Sequence, residues 1–144
     1  MPIHRAELLK IVMNLFNIAL QTGQQTDLTD ITGHWAYDYI VTANLKGIIA
    51  GYADKTFGPE NAINRAEAMK ILFKGANIKT ESAGVENPFT DVSPDDWYYD
   101  YVLAAYKNKI VEGYPLEDGT RVFKPEQSIT RAEFAKIAVV SNTL

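Results

Sequence analysis

Three stretches of the chain carry one pattern without a gap: Ile3-His4-Arg5-Ala6-Glu7-Leu8-Leu9-Lys10-Ile11, Ile63-Asn64-Arg65-Ala66-Glu67-Ala68-Met69-Lys70-Ile71 and Ile129-Thr130-Arg131-Ala132-Glu133-Phe134-Ala135-Lys136-Ile137. The motif I-x-R-A-E-x-x-K-I returns after 60 and then 66 residues. A period of that length marks stacked supersecondary units, each burying its apolar face only against its neighbours. Further correspondences precede the second and third copies. Leu28-Thr29-Asp30 answers to Phe89-Thr90-Asp91, Trp35 to Trp97, Gly51-Tyr52 to Gly113-Tyr114, and Pro59-Glu60 to Pro125-Glu126. The register slips by four residues after the second Gly-Tyr pair, which places an insertion around Leu116 to Thr120. The chain therefore divides into the second half of one repeat (1–26) and two full repeats (27–88 and 89–144).

Each full repeat reads as helix, loop, helix. Apolar residues from Trp35 to Ala43 and from Trp97 to Ala105 fall at helical spacing, which predicts first helices with both tryptophans on the packed face. The loops 51–61 and 113–127 have a turn composition that leaves at most a short β bridge. The second helices start at the arginine motif. Thr130-x-x-Glu133 is a capping box, Asn64-x-x-Glu67 its Asn version, and His4-x-x-Glu7 the poorest of the three. The expected fold is all-α, with the three motif helices packed against one another through shared apolar positions, Ile11, Ile71 and Ile137 among them.

Composition narrows the function. A formal charge of -4 without clustered Lys or Arg argues against nucleic acid. The absence of cysteine removes disulfides, thiolate metal sites and a thiol nucleophile. His4 and His34, the two histidines, stand at non-equivalent repeat positions, and the loop Glu117-Asp118-Gly119-Thr120 lacks the ligand spacing of a calcium loop. No metal, cofactor or catalytic role is assigned. No nucleophile elbow or phosphate-binding loop is present, and no apolar run reaches the length of a membrane helix. A secretion signal is not legible in 1–26, so for a secreted protein it would lie outside this chain.

The segments Gly33-His34-Trp35-Ala36, Gly51 to Glu60 and Ile129-Thr130-Arg131-Ala132-Glu133 together resemble the S-layer homology repeat. The resemblance spans nearly the whole chain. It implies a non-catalytic module of the bacterial cell surface, in which three repeats form a pseudo-threefold helical domain. It also implies an anionic ligand, a pyruvylated secondary cell-wall polysaccharide, held in grooves between repeats. His4 and Asn64 depart from the usual Thr, Leu28 from Phe, and Pro94-Asp95-Asp96 from Gly-His.

The residues leave two readings for the motif arginines. Arg5, Arg65 and Arg131 could be scaffold ion-pair partners. They could also form a carboxylate fork beside the free N–H groups of a helix N-terminus. With Arg65 and Arg131 in complete repeats, Arg5 is expected to matter least. Tyr52 and Tyr114 stand in loops, either as packing or as ligand contacts. Lys70 and Lys136 lie on another helical face, either solvated or lining a neighbouring groove. The half repeat is expected to leave Leu8, Leu9, Val12, Leu15 and Phe16 without cover, which would favour a homodimer. Two other functions fit the same chain: a self-associating structural module, or the auxiliary domain of a larger surface enzyme.

Overall fold

A computed structural model describes residues 1–143. It contains five helices, α1 (Arg5–Leu15), α2 (Tyr37–Leu45), α3 (Arg65–Ala76), α4 (Tyr99–Lys107) and α5 (Arg131–Ser141), and one two-residue hairpin, β1 (Tyr114–Pro115) with β2 (Arg121–Val122). The expected helical architecture is what is found, with the insertion in the third repeat forming the hairpin.

The motif helices start as their caps dictate. Asn64 Oδ1 accepts from the Glu67 N–H at 2.8 Å, and Thr130 Oγ1 from the Glu133 N–H at 3.1 Å. At the weaker cap, the His4 N–H donates to Glu7 Oε1 at 3.3 Å.

Just before these helices three segments of the chain close a ring. The Ile63 N–H donates to the Ile3 carbonyl (3.2 Å), Ile129 to Ile63 (2.9 Å) and Ile3 to Ile129 (3.0 Å). All three isoleucines are buried. Isolated antiparallel bridges at Pro2–Thr130, His4–Ala62 and Asn64–Ser128 repeat around the same centre, which defines the pseudo-threefold axis.

The first helices take places that the linear order does not suggest. α2 packs on α1, and α4 packs on α3. The motif helices α1 and α3 are thus each covered by the first helix of the following repeat, not by that of their own. Two expectations fail for this reason. Leu8, Leu9 and Val12 are fully buried, and Leu15 and Phe16 half-buried, because α2 supplies the cover. The open helix is α5, where Ala132, Ala135 and Val139 are exposed, Val139 at 72%. Their counterparts on α3, Ala66, Met69 and Phe73, are buried. The isoleucine triad also breaks: Ile71 and Ile137 are buried, but Ile11 is 39% exposed.

The tryptophans are the third correction. Trp35 and Trp97 precede the N-caps Ala36 and Tyr98, so the helical period does not reach them, and they are 55% and 56% exposed. The packed faces of α2 and α4 begin at Ile40 and Val102. Among the described residues no helix is long and apolar enough to cross a membrane.

Candidate functional site

The motif arginines form the core of the site, and they are linked in a cycle. Arg5 pairs with Glu67, Arg65 with Glu133, and Arg131 with Glu7. Every motif therefore donates its arginine forward and receives another at its glutamate. Two of these arginines are buried, at 6% for Arg5 and 5% for Arg65, whereas the Arg131 side chain is 51% exposed.

The loop of the following repeat makes the difference. Arg5 Nε donates to the Phe57 carbonyl and Arg65 Nε to that of Phe123, each at 2.9 Å. The Arg5 guanidinium carbon lies 4.8 Å from the Tyr52 ring centre and 4.7 Å from that of Phe57. For Arg65 the distances to Tyr114 and Phe123 are 5.0 and 4.8 Å. These distances suit cation–π attraction in a desolvated setting. No aromatic loop stands over Arg131 among the described residues. The ordering expected from the sequence is therefore reversed, with Arg5 in a complete setting and Arg131 in an open one.

The aromatic loops are themselves pinned by carboxylates. Asp30 accepts from the Phe57 and Gly58 N–H groups at 2.9 and 2.8 Å, and Asp91 from those of Phe123 and Lys124 at 2.8 Å each. The repeated Thr-Asp pair was the visible signal for this role, but nothing in its spacing showed what it would hold.

The first N–H groups of the motif helices already have protein acceptors at α1 and α3. The Arg5 and Ala6 N–H groups donate to the carbonyls of Asn61 and Pro59, Arg65 and Ala66 to those of Gln127 and Pro125, and Arg131 to that of Met1. At α1 and α3 the donors expected to be free are taken up by the loop of the neighbouring repeat, and at α5 that of Arg131 is taken up by Met1. The fork is partly used as well, since Nε and Nη1 of Arg5 and Arg65 have protein partners. No buried side-chain polar atom among the described residues lacks a partner. The Nη2 groups of Arg5 and Arg65 have no such partner, and both residues line grooves.

Two grooves line up with these arginines. The first, of about 290 Å³, gathers Arg5, Tyr52, Glu67, Lys70, Ile71 and Trp97. It draws on all three repeats. Lys70 Nζ lies 5.4 Å from the Trp97 ring centre, an arrangement repeated by Lys10 and Trp35 at 5.6 Å. The second groove, of about 310 Å³, holds Arg65, Tyr114, Glu133 and Lys136, without a tryptophan. Tyr114 donates its hydroxyl to Glu133 at 2.9 Å, and burial, then this carboxylate, push its phenol up from the ordinary value. It stays a neutral donor. A third, shallower surface carries Glu7, Lys10, Ile11, Asn14 and Trp35. Of the residues singled out by sequence, Arg5, Tyr52 and Lys70 thus share one groove and Arg65, Tyr114 and Lys136 another, with Arg131 outside both. The sequence reading missed Trp97, Glu67, Glu133, Phe57 and Phe123.

The two histidines also meet. His34 Nε2 lies 2.6 Å from Glu60 Oε1, and His4 Nδ1 3.3 Å from Glu60 Oε2. The His34 hydrogen bond, foremost, holds the Glu60 carboxyl below its usual range. No group of three or more metal-ligating side chains is assembled among the described residues.

A cyclic stack of helix–loop–helix repeats with cation–aromatic grooves defines a repeat-built module. The chain belongs to the S-layer homology domain family, whose model matches residues 27–69 and 88–135. Among curated relatives it is 38% identical over 110 residues to Exoglucanase XynX of Acetivibrio thermocellus, a match covering 76% of this chain and 10% of that protein. It is 34% identical over 117 residues to the Surface-layer 125 kDa protein of Lysinibacillus sphaericus, covering 81% of this chain and 9% of that protein. With a Cellulosome-anchoring protein of Acetivibrio thermocellus it shares 39% over 90 residues, 62% of this chain and 20% of the relative. The chain thus spans between about a tenth and a fifth of these relatives. Family and relatives place it at the bacterial cell surface or S-layer. The domain itself is non-catalytic, although relatives that carry it include enzymes.

Proposed function

We propose that the chain anchors a surface protein to the bacterial envelope by holding an anionic, pyruvylated secondary cell-wall polysaccharide in the groove of Arg5, Tyr52, Lys70 and Trp97. The observation that carries this reading is the convergence of those four side chains, from separate segments of three repeats. An exposed indole face can stack on a sugar ring, since its apolar surface is otherwise left in water. Lys70 beside it and the free Nη2 of Arg5 supply donors for a ketal carboxylate. Fixing the guanidinium through Nε and Nη1 means that little rotamer entropy remains to be lost on binding. The Arg65, Tyr114 and Lys136 groove takes the same chemistry without the indole. The repeat boundaries 1–26, 27–88 and 89–144 belong to this proposal: the half repeat supplies Arg5, and the later two supply its walls.

Calorimetric titration with a pyruvylated wall saccharide and its depyruvylated control tests the reading. Lys70→Ala should weaken binding of the pyruvylated form by about 1.5–3 kcal/mol, the range for hydrogen bonds to charged groups. Trp97→Ala should weaken both forms. Equal affinity for the two saccharides in the unmodified protein would refute an acid-selective groove.

The relatives support a second, compatible reading, in which this module is the anchoring part of a longer surface protein or surface enzyme. Self-association is supported by a different observation, the exposed Ala132, Ala135 and Val139 face of α5. A monomer by light scattering at high concentration would remove it.

A further inference from the structure

A wide concavity of about 840 Å³ lies beside the Arg65 groove, walled by Val85 and Glu86 of the linker, Tyr106, Lys107 and Lys109 at the end of α4, and Arg121 of β2. Lys109, Val111 and Glu112 line both spaces, so the groove and the concavity adjoin along a common wall.

Comparison of the repeats distinguishes its cations from ordinary surface charge. Lys109 has φ 59°, in the left-handed region, and the equivalent residue four positions before the other Gly-Tyr pair is Gly47, φ 74°. That conformation crowds a Cβ but not a glycine. Lys124, φ 60°, likewise stands where the preceding repeat has Gly58, φ 70°, and its Nζ lies 4.4 Å from the Tyr114 ring centre. Strain alone carries no function here. Lys55 is also left-handed, φ 65°, and lines neither space. Lys109 differs in its place, because it stands in the wall common to the groove and the concavity. Of the two lysines that stand in place of glycines, Lys109 lines the Arg65 groove and Lys124 only meets the Tyr114 ring, and no indole accompanies the second arginine.

The charge pattern indicates the ligand. Lys107, Lys109 and Arg121 face Glu86 and Glu112 along the concavity, and Arg121 Nη1 donates to the Glu112 carbonyl at 2.7 Å. Alternating charge with a small cationic excess suits a chain that carries spaced acids and many hydroxyls, better than one dense anion. The hydroxyls can donate to the glutamates while the acids meet the lysines.

We infer that this concavity is an extension site for an acidic oligosaccharide, taking the units that follow an acidic unit seated in the Arg65 groove. The inference rests on the glycan-binding reading above. Within it, the two grooves differ in task. The Arg5 groove grips one unit by stacking, and the Arg65 groove with its extension reads chain length and charge.

The test is calorimetric titration with pyruvylated wall polysaccharide cut to a single repeating unit and to fragments of several units. The proteins compared are the unmodified chain, Lys107→Ala, and the Lys107→Ala, Lys109→Gly double variant. Affinity for the longer fragments should fall roughly two- to fivefold for each lysine removed, as for exposed charge pairs. Single-unit affinity should be unchanged in Lys107→Ala. The melting temperature of Lys109→Gly should hold or rise, because glycine suits the left-handed position. Equal affinity of the longer fragments for unmodified and double-variant proteins would overturn the extension site alone. Failure of the single unit to bind the unmodified protein would overturn the glycan reading, and the extension with it.

Discussion

Arg65 and Arg131 hold the same place in the same motif, yet one is enclosed and the other half in water. Each pairs with the glutamate of the next motif in the cycle, and each starts a helix after an oxygen-bearing N-cap. What separates them is the loop of the following repeat. Phe123 and Tyr114 enclose Arg65, and the Phe123 carbonyl accepts its Nε–H, while no such loop covers Arg131 among the described residues. A repeat motif therefore specifies a capability, and its neighbour decides whether that capability becomes a buried pair. The same contrast runs down the helices, where Met69 and Phe73 on α3 are replaced by exposed Ala135 and Val139 on α5.

The most direct way to break this comparison is to remove each arginine. Arg65→Ala should destabilise the fold by about 3–5 kcal/mol, because it strands the Glu133 carboxylate and the Phe123 carbonyl in a largely desolvated setting. Arg131→Ala should cost no more than about 1 kcal/mol, the scale of an exposed pair. Chemical denaturation measures both, and equal losses would mean that the aromatic loop contributes nothing.

The isoleucines sharpen it next. Ile71→Ala should cost about 2–5 kcal/mol through lost burial and a residual cavity. Ile11→Ala at the equivalent position should stay within about 1 kcal/mol, since part of that side chain already meets water. Similar thermal midpoints for the two variants would contradict the different burial of the two faces.

A smaller effect is expected where α1 meets α3. A Cβ at Gly75 would collide with Val12 Cγ1, so Gly75→Ala should cost about 1–3 kcal/mol by overpacking. Its counterpart on α5 is Ser141, whose hydroxyl donates within the helix to the Ile137 carbonyl at 2.8 Å. Ser141→Gly should lose only about 1 kcal/mol, mostly helix propensity. If Gly75→Ala proved neutral, the close approach of α1 would not be what distinguishes the two helices.

The least effect belongs to Glu60. Its folded-state pKa is depressed, so its contribution is present above the ordinary carboxylate value of 4.5 and fades as pH falls through the lower folded value. Glu60→Gln should therefore lower the melting temperature slightly near neutrality, with the gap closing in acid. A gap that persisted unchanged at pH 2 would detach the effect from titration of this group.

Much of the architecture was legible because it rests on local rules. Two helix starts followed from Thr130, Asn64 and their partner glutamates, and the turn composition of 113–127 anticipated at most a short β bridge where the structure has a two-residue hairpin. Arg5, Arg65, Tyr52, Tyr114, Lys70 and Lys136 were singled out by recurrence, and they do line grooves. How they are grouped was not legible, because each groove takes its arginine from one repeat and its lysine from the next.

Taken alone, the sequence determined the repeat, its helices and its pseudo-threefold count, since caps, periodicity and spacing act over a few residues. The tertiary structure alone decided that a motif helix is covered by the following repeat, which moved the open edge from α1 to α5. It placed Trp35 and Trp97 in water, and it filled the helix N-terminal donors with carbonyls such as those of Pro59 and Asn61. Those outcomes depend on which distant segment arrives at a face, and pairings across 50 or more residues, such as Arg5 with Phe57 and Glu67, leave no local trace.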